Sequence, residues 1–336
     1  FVLGDFKRLR ELAGELEAVL GRHGDRWYLM FTLAETSFAW AASGDWPEAF
    51  RRLDEARRLN VELGDRTNAA YGLTLQAWLE RARGRYEEAV SLGRAAAAAA
   101  QEGRNTQWTA WSEVNLGAIL AELGAFDQAV ERLEEGRSAA ERGARIQLLR
   151  AYAHLASVRT AMGDTAAEGD LAGAEALLAQ VRTPPGTSFL YGLDAYLAVA
   201  GARLARGDPA SATGLLAPLL AAAESAGWAE GVGRVALALG ECAAVAGEPD
   251  EAVGLLTRAA RLSASVGIPA VEWQAEGALA GLASMGGDRQ MGGAHRQRAR
   301  AVIDELAASL AGTELRRTFV VAAGERLERL NFTGRP

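Results

Sequence analysis

Apolar and small residues recur along this chain at helical spacing, and they do so inside a longer period. In residues 6–21, Leu9, Leu12, Leu16, Val19 and Leu20 fall on one stripe of a helix. Further on, a six-residue stretch recurs: a turn glycine followed five residues later by an alanine. It stands at Gly44 and Ala49, Gly84 and Ala89, Gly124 and Ala129, Gly207 and Ala212, and Gly247 and Ala252. Gly44, Gly84 and Gly124 are spaced by 40 residues, as are Gly207 and Gly247. A fixed period of this length marks stacked helical units, none of which can bury its apolar face alone.

The first complete unit is predicted as helices over 27–43 and 46–63. The glycine between them stops one helix, because it takes the left-handed conformation without strain. Asp45 can cap the next helix, and Pro47 suits its first turn. Units two and three follow over 66–102 and 106–142. Unit four opens normally, with Leu148, Tyr152 and Leu155 on one face, but the five-residue relation runs from Gly169 to Ala174 rather than from Gly163. A six-residue insertion is therefore expected to lengthen its hairpin loop. Thr183-Pro184-Pro185-Gly186 then breaks any helix. It predicts a bend between a first sub-array, 1–184, and a second, 185–336. Units five and six are predicted over 189–226 and 229–266. Unit seven opens at Pro269 and carries Gly292 at the alanine position; its second helix is expected from about 294 to 311. A last amphipathic helix over 313–330, with Leu315, Phe319, Val320, Leu327 and Leu330 as anchors, reads as a cap. Gly4 lies 40 residues before Gly44, so residues 6–21 are expected to be the second helix of a unit whose first helix lies upstream. The chain, which opens at Phe1, is expected to be a piece of a longer protein.

Composition agrees with helices and narrows the chemistry. Hydrophobic residues make up 49% of the 336 positions, with alanine and leucine dominant. The net charge is −7 with both signs interleaved, which argues against direct nucleic-acid binding. No apolar run approaches the roughly 20 residues that span a bilayer, and the opening residues carry no signal-peptide pattern. Cys242 is the only cysteine, so no internal disulfide is possible and a reducing, cytoplasmic setting is expected. Lys7 is the only lysine and sits in no glycine-rich loop, which excludes a phosphate-binding P-loop from this segment.

Seven residues before the turn glycine stand Ser37, Ala77, Gly117, Ala156, Ala200, Gly240 and Ala280, all small. Trp46, Tyr86 and Phe126 stand two after it in the first three units. This small–Gly–aromatic–Ala framework resembles the tetratricopeptide repeat over nearly the whole chain, with a period about six residues longer. Longer helices of this kind are similar to the repeat arrays of large bacterial regulators of the MalT-like and LuxR-type. The tail, 298–306 followed by 315–319, is similar to the ends of such arrays. The resemblance implies an all-α, tetratricopeptide-like α-solenoid of about seven hairpins in a right-handed superhelix with a C-terminal capping helix. It further implies a sensor or interaction module for signal transduction or transcription regulation. The nucleotide-binding domain and output domain would lie outside this chain.

In such arrays the first helices line the concave face, at about 13, 10, 6 and 3 residues before the turn glycine. The first set gives Phe31, Tyr71, Trp111, Arg150, Asp194, Arg234 and Gln274. The set at six gives Phe38 and Trp78 in the first two units. Clustered rings on a rigid concave surface anchor a protein, a peptide or a small effector; rings packing between helices are the other reading. The candidate groove therefore comprises Phe31, Phe38, Tyr71, Trp78, Trp111, Arg150 and His154, the last either titrating in the groove or bonding between helices. The carboxylate-binding mode of chaperone-binding arrays is absent, since Phe38 and Trp78 stand where its asparagines would be. His23, His154 and His295 are too far apart for a local metal motif, and Cys242 reads as a buried, inert thiol. With no Ser-His-Asp set, no metal cluster and no cofactor cradle, no catalytic function and no cofactor are expected. The leading reading is a non-catalytic recognition scaffold; a purely structural adaptor between proteins is the alternative. Acidic pairs such as Glu87-Glu88 read as solvated faces, so a change at Glu87 is expected to be nearly silent, whereas Ala89→Leu should overpack its hairpin.

Overall fold

A computed structural model of the chain describes residues 5–180 and 192–330. The described residues form sixteen α-helices and no strand. Helix α1 (Phe6–His23) comes first. Seven hairpins follow: α2 (Arg26–Ala41) with α3 (Trp46–Leu63), α4 (Arg66–Ala82) with α5 (Tyr86–Glu102), and α6 (Thr106–Glu122) with α7 (Phe126–Ala140). Then come α8 (Arg145–Met162) with α9 (Ala167–Leu178), α10 (Leu193–Ala205) with α11 (Pro209–Ser225), α12 (Ala229–Ala246) with α13 (Pro249–Val266), and α14 (Pro269–Met285) with α15 (Arg289–Ser309). Helix α16 (Thr313–Arg329) ends the order. The predicted bend at 185 and the boundary between the sub-arrays lie outside the described residues, as does Gly4.

The periodic positions do the work their sizes suggest. Ala49, Ala89, Ala129, Ala174, Ala212 and Ala252 are all completely buried between the two helices of their units. Opposite them the small residues set the approach: a Cβ on Gly117 would stand 2.6 Å from Leu133 Cγ. Polar caps start the helices in register. Asp25, Asp45, Asp65, Asn105, Asp208 and Asp288 each accept a hydrogen bond from the backbone N–H three residues on.

Three expectations change. The extra residues after Gly163 do not lengthen the loop; they form a turn and an additional helical turn at the start of α9, which leaves Ala174 in its buried place. Helix α15 begins at Arg289 rather than about 294, because Asp288 caps it by accepting from Met291 N at 2.9 Å. In α16, Phe319 and Ala323 are buried, as is Leu330 just after it, but Val320 is 45% exposed, since it lies about 100° around the helix from Phe319.

The array curls until its first three units meet its last three and α16, which a 40-residue period does not announce. Backbone bonds run from Lys7 N to Ala226 O at 3.1 Å and from Ala229 N to Ala42 O at 2.9 Å. The indole Nε1 of Trp46 donates to Val266 O at 2.6 Å. Glu87, half-buried, accepts from Ala311 N at 3.2 Å, so it also makes a contact across the array. Helix α16 is more than a terminal cap: Phe319 packs on Tyr86, ring centroids 5.8 Å apart, and Thr318 and Ala322 abut the turn at Gly124. The hairpin turns of units one to three thus lock onto the closing turns of units five to seven and onto α16. One hydrophobic core accordingly combines residues from α2 to α4 with residues from α11 to α14.

Candidate functional site

The concave positions divide into two regions. The first is an open groove of about 720 Å³ at the starts of the first helices in units one to four. Its floor is a ladder of rings, one or more from each of the first three units. Trp27 meets Phe31 at 4.6 Å between centroids, Phe31 meets Tyr71 at 5.1 Å, and Tyr71 meets both Trp108 and Trp111 at 4.9 Å. Offset and tilted ring contacts of this kind hold each ring in place. Polar edges fix them further. Tyr71 Oη donates to Glu35, Trp108 Nε1 to Asn68 and Trp27 Nε1 to Asp65. Trp27 and Tyr28 extend the ladder outward and are 43% and 58% exposed. Arg142 and Arg145 stand exposed on the rim.

The second region is a lumen of about 470 Å³ inside the curl, which like the groove is open to solvent. Its walls are the ends of α4 and α6, the middle of α8, most of α10 and α12, the first half of α14, and α16. Asp194 is its most connected charge: Arg234 donates to it at 2.6 Å, Arg150 at 3.4 Å, and His154 Nε2 lies 3.3 Å away. Burial alone would raise the Asp194 carboxyl, but Arg234, His154 and Arg150 together hold it well below the usual carboxylate range. Burial lowers His154, against the pull of Asp194. Across the lumen, Arg81 pairs with Glu122 at 3.5 Å and with Glu230 at 3.7 Å, and Arg326 pairs with Glu241. Burial pushes the Glu230 carboxyl up. Cys242 lines the same space, with burial pushing its thiol up to about 11, which leaves it protonated and unreactive near neutral pH.

The residues that the sequence singles out are therefore not one cluster. Phe31, Tyr71 and Trp111 share the open groove, and His154 faces the lumen. Phe38 and Trp78 line neither; they pack edge to face at 5.4 Å in the core. Arg150 is wholly buried between the regions, its guanidinium 4.8 Å from the Trp78 ring. It donates to Gln147 on the groove side and to Asp194 on the lumen side. Sequence reasoning passes over Trp108, Arg142 and Arg145 in the groove and Arg81, Glu122 and Glu230 in the lumen. Trp108 lies one helical turn before Trp111, and Arg81 is at a concave position, three before Gly84; the period carries a signal for both. The rim arginines follow a unit-closing turn, for which the pattern of first helices has no signal. Among the described residues no group of His, Cys, Asp or Glu side chains is placed to hold a metal ion, and no helix is long and apolar enough to cross a membrane.

No protein-family model and no curated protein sequence matches this chain. Solved structures do. A Rap protein complexed with competence and sporulation factor aligns over 97% of this chain and 96% of its own, with a TM-score of 0.61 at 13% identity. BtubC (BKLC) from P. vanneervenii aligns over 81% and 92%, with a TM-score of 0.33 at 19% identity. The TPR2AB domain of yeast Sti1, in complex with pHSP90, aligns over 90% and 98%, with a TM-score of 0.27 at 17% identity. The architecture is that of a tetratricopeptide-like α-solenoid.

Proposed function

We propose that the array is a non-catalytic recognition scaffold that takes an extended segment of a protein partner along the groove of its first three units. The observation that carries this reading is the ring ladder of Phe31, Tyr71, Trp108 and Trp111, which lines a 720 Å³ groove and is continued beyond it by Trp27. Tyr71 and Trp111 are buried and brace the half-buried Phe31 and Trp108, and rings fixed in this way lose little entropy on binding. Arg142 and Arg145 on the rim favour a segment with acidic side chains, through charge-assisted hydrogen bonds. The Rap protein whose fold this chain shares is complexed with competence and sporulation factor, which supports recognition as the role of the fold. In this reading the array is the cytoplasmic interaction module of a larger signal-transduction or transcription regulator, with a nucleotide-binding domain elsewhere in the full protein.

Selection from a displayed library of short random peptides tests the proposal. Peptides that bind the wild-type array should be enriched in acidic and aromatic residues. They should lose about tenfold or more in affinity against an Arg142→Glu/Arg145→Glu variant with unchanged helicity. Binders indifferent to that variant would place recognition elsewhere. A failure to select any binder would favour the structural adaptor, which joins folded surfaces and needs no groove.

A further inference from the structure

The lumen carries charges that neither the fold nor the groove accounts for, and one of them is incompletely partnered. The Arg81 side chain is only 3% exposed. Its ion pairs to Glu122 and Glu230 are loose, at 3.5 and 3.7 Å, and among the described residues its guanidinium makes no hydrogen bond. A guanidinium carries five donors, so two ion pairs this long leave most of its hydrogen-bonding capacity open to a ligand. Two neighbouring charges are held, Asp194 by Arg234 and Glu241 by Arg326, whereas Glu122 takes only a longer bond from the Tyr86 hydroxyl, at 3.3 Å.

We propose that the lumen is a binding site for a small zwitterion, a free amino acid or a molecule of that kind, received between Arg81 and Glu122. Three features select this class. The space, about 470 Å³, lies in the range of small-ligand pockets, roughly 300–1,000 Å³. The walls carry both signs in close pairs, so a ligand with one charge would take one partner and strand the other in a buried setting. A zwitterion strands neither: its carboxylate takes the open fork of Arg81 in bidentate fashion, and its ammonium replaces Arg81 beside Glu122. Glu122 has the freedom for this exchange, being 34% exposed while Arg81 is packed. Glu230, the other partner of Arg81, is also paired with Arg234 at 3.8 Å, so it keeps a counter-charge when Arg81 turns to the ligand.

Isothermal calorimetry and thermal shift with the free proteinogenic amino acids test this on the whole chain. Their Nα-acetyl derivatives, which keep only the carboxylate, and their amides, which keep only the ammonium, serve as matched probes. At least one free amino acid should bind and raise the melting temperature, and both blocked forms of it should bind about tenfold or more weakly. Glu122→Gln, at a partly exposed position, should keep the helical spectrum and lose binding by a similar factor. No binding by any free amino acid to folded wild type overturns the proposal. So does equal binding of the blocked forms, or full affinity in Glu122→Gln. The groove variant Arg142→Glu/Arg145→Glu should bind the zwitterion normally, so the lumen site stands or falls apart from the peptide groove.

Discussion

Arg150 and Asp194, on the neighbouring first helices α8 and α10, form a buried ion pair with Nη2 3.4 Å from Oδ2. The pair is the wall between the two concave regions, because Arg150 also bonds Gln147 of the groove while Asp194 faces the lumen. Asp194→Ala would leave Arg150 with a buried charge and Arg234 without its shortest partner. Removing one member of such a pair is expected to cost about 3–5 kcal/mol. Urea unfolding measures this, and a double variant with Arg150→Met should recover part of the loss.

The closure of the array is testable at its glycine turns. Gly124 has φ +71°, and a Cβ there would meet Ala322 Cβ at 2.5 Å and Thr318 O at 2.9 Å. Gly163 has nearly the same φ, +72°, with nothing within 4 Å of the added atom. Gly163→Ala should cost about 1–2 kcal/mol from backbone strain alone. Gly124→Ala should cost a further 1–3 kcal/mol or so from overpacking against α16. Equal losses in denaturant midpoint would mean that α16 does not press on the turn in solution.

Glu113 gives a pH dependence of definite sign. Burial, then Glu135, raise its carboxyl from 4.5 to about 7, against the opposing pull of Arg132 and Gln101. The folded value lies above the unfolded one, so the stability tied to the protonated form is complete below pH 4.5 and is lost as pH rises through 7. Glu113→Gln keeps the neutral shape. It should match wild type near pH 5 and exceed it by about 1–3 kcal/mol near pH 8, as read from paired urea titrations. A constant difference across that range would count against the assignment.

Ala89 and Glu87 separate the repeat register from the closure. Ala89→Leu should overpack its hairpin by about 1–3 kcal/mol. Glu87→Gln weakens an acceptor for Ala311 N without adding bulk, and should cost up to about 1 kcal/mol. Hydrogen exchange at Ala311 distinguishes them: it should quicken in the Glu87 variant more than global stability explains.

The seven hairpins, their turns and their buried alanines were legible in the sequence, because each depends on contacts within one unit or between adjacent ones. A period of small residues, glycines and caps encodes such local contacts directly. The ring ladder of Phe31, Tyr71 and Trp111 was legible for the same reason: equivalent positions in successive units stack. The division of the candidate residues was not. Phe38 and Trp78 occupy concave positions by count, yet they are core, because the depth of a position depends on how sharply the array curves. Curvature in turn is decided by contacts between units far apart in the chain, Trp46 with Val266, Glu87 with Ala311 and Phe319 with Tyr86. Such pairings leave no periodic trace, since each is made once. The sequence by itself determined a helical array and the side chains on its inner face. Only the tertiary structure decided that this face curls on itself, setting a groove over a ladder of largely buried rings apart from a lumen of paired charges.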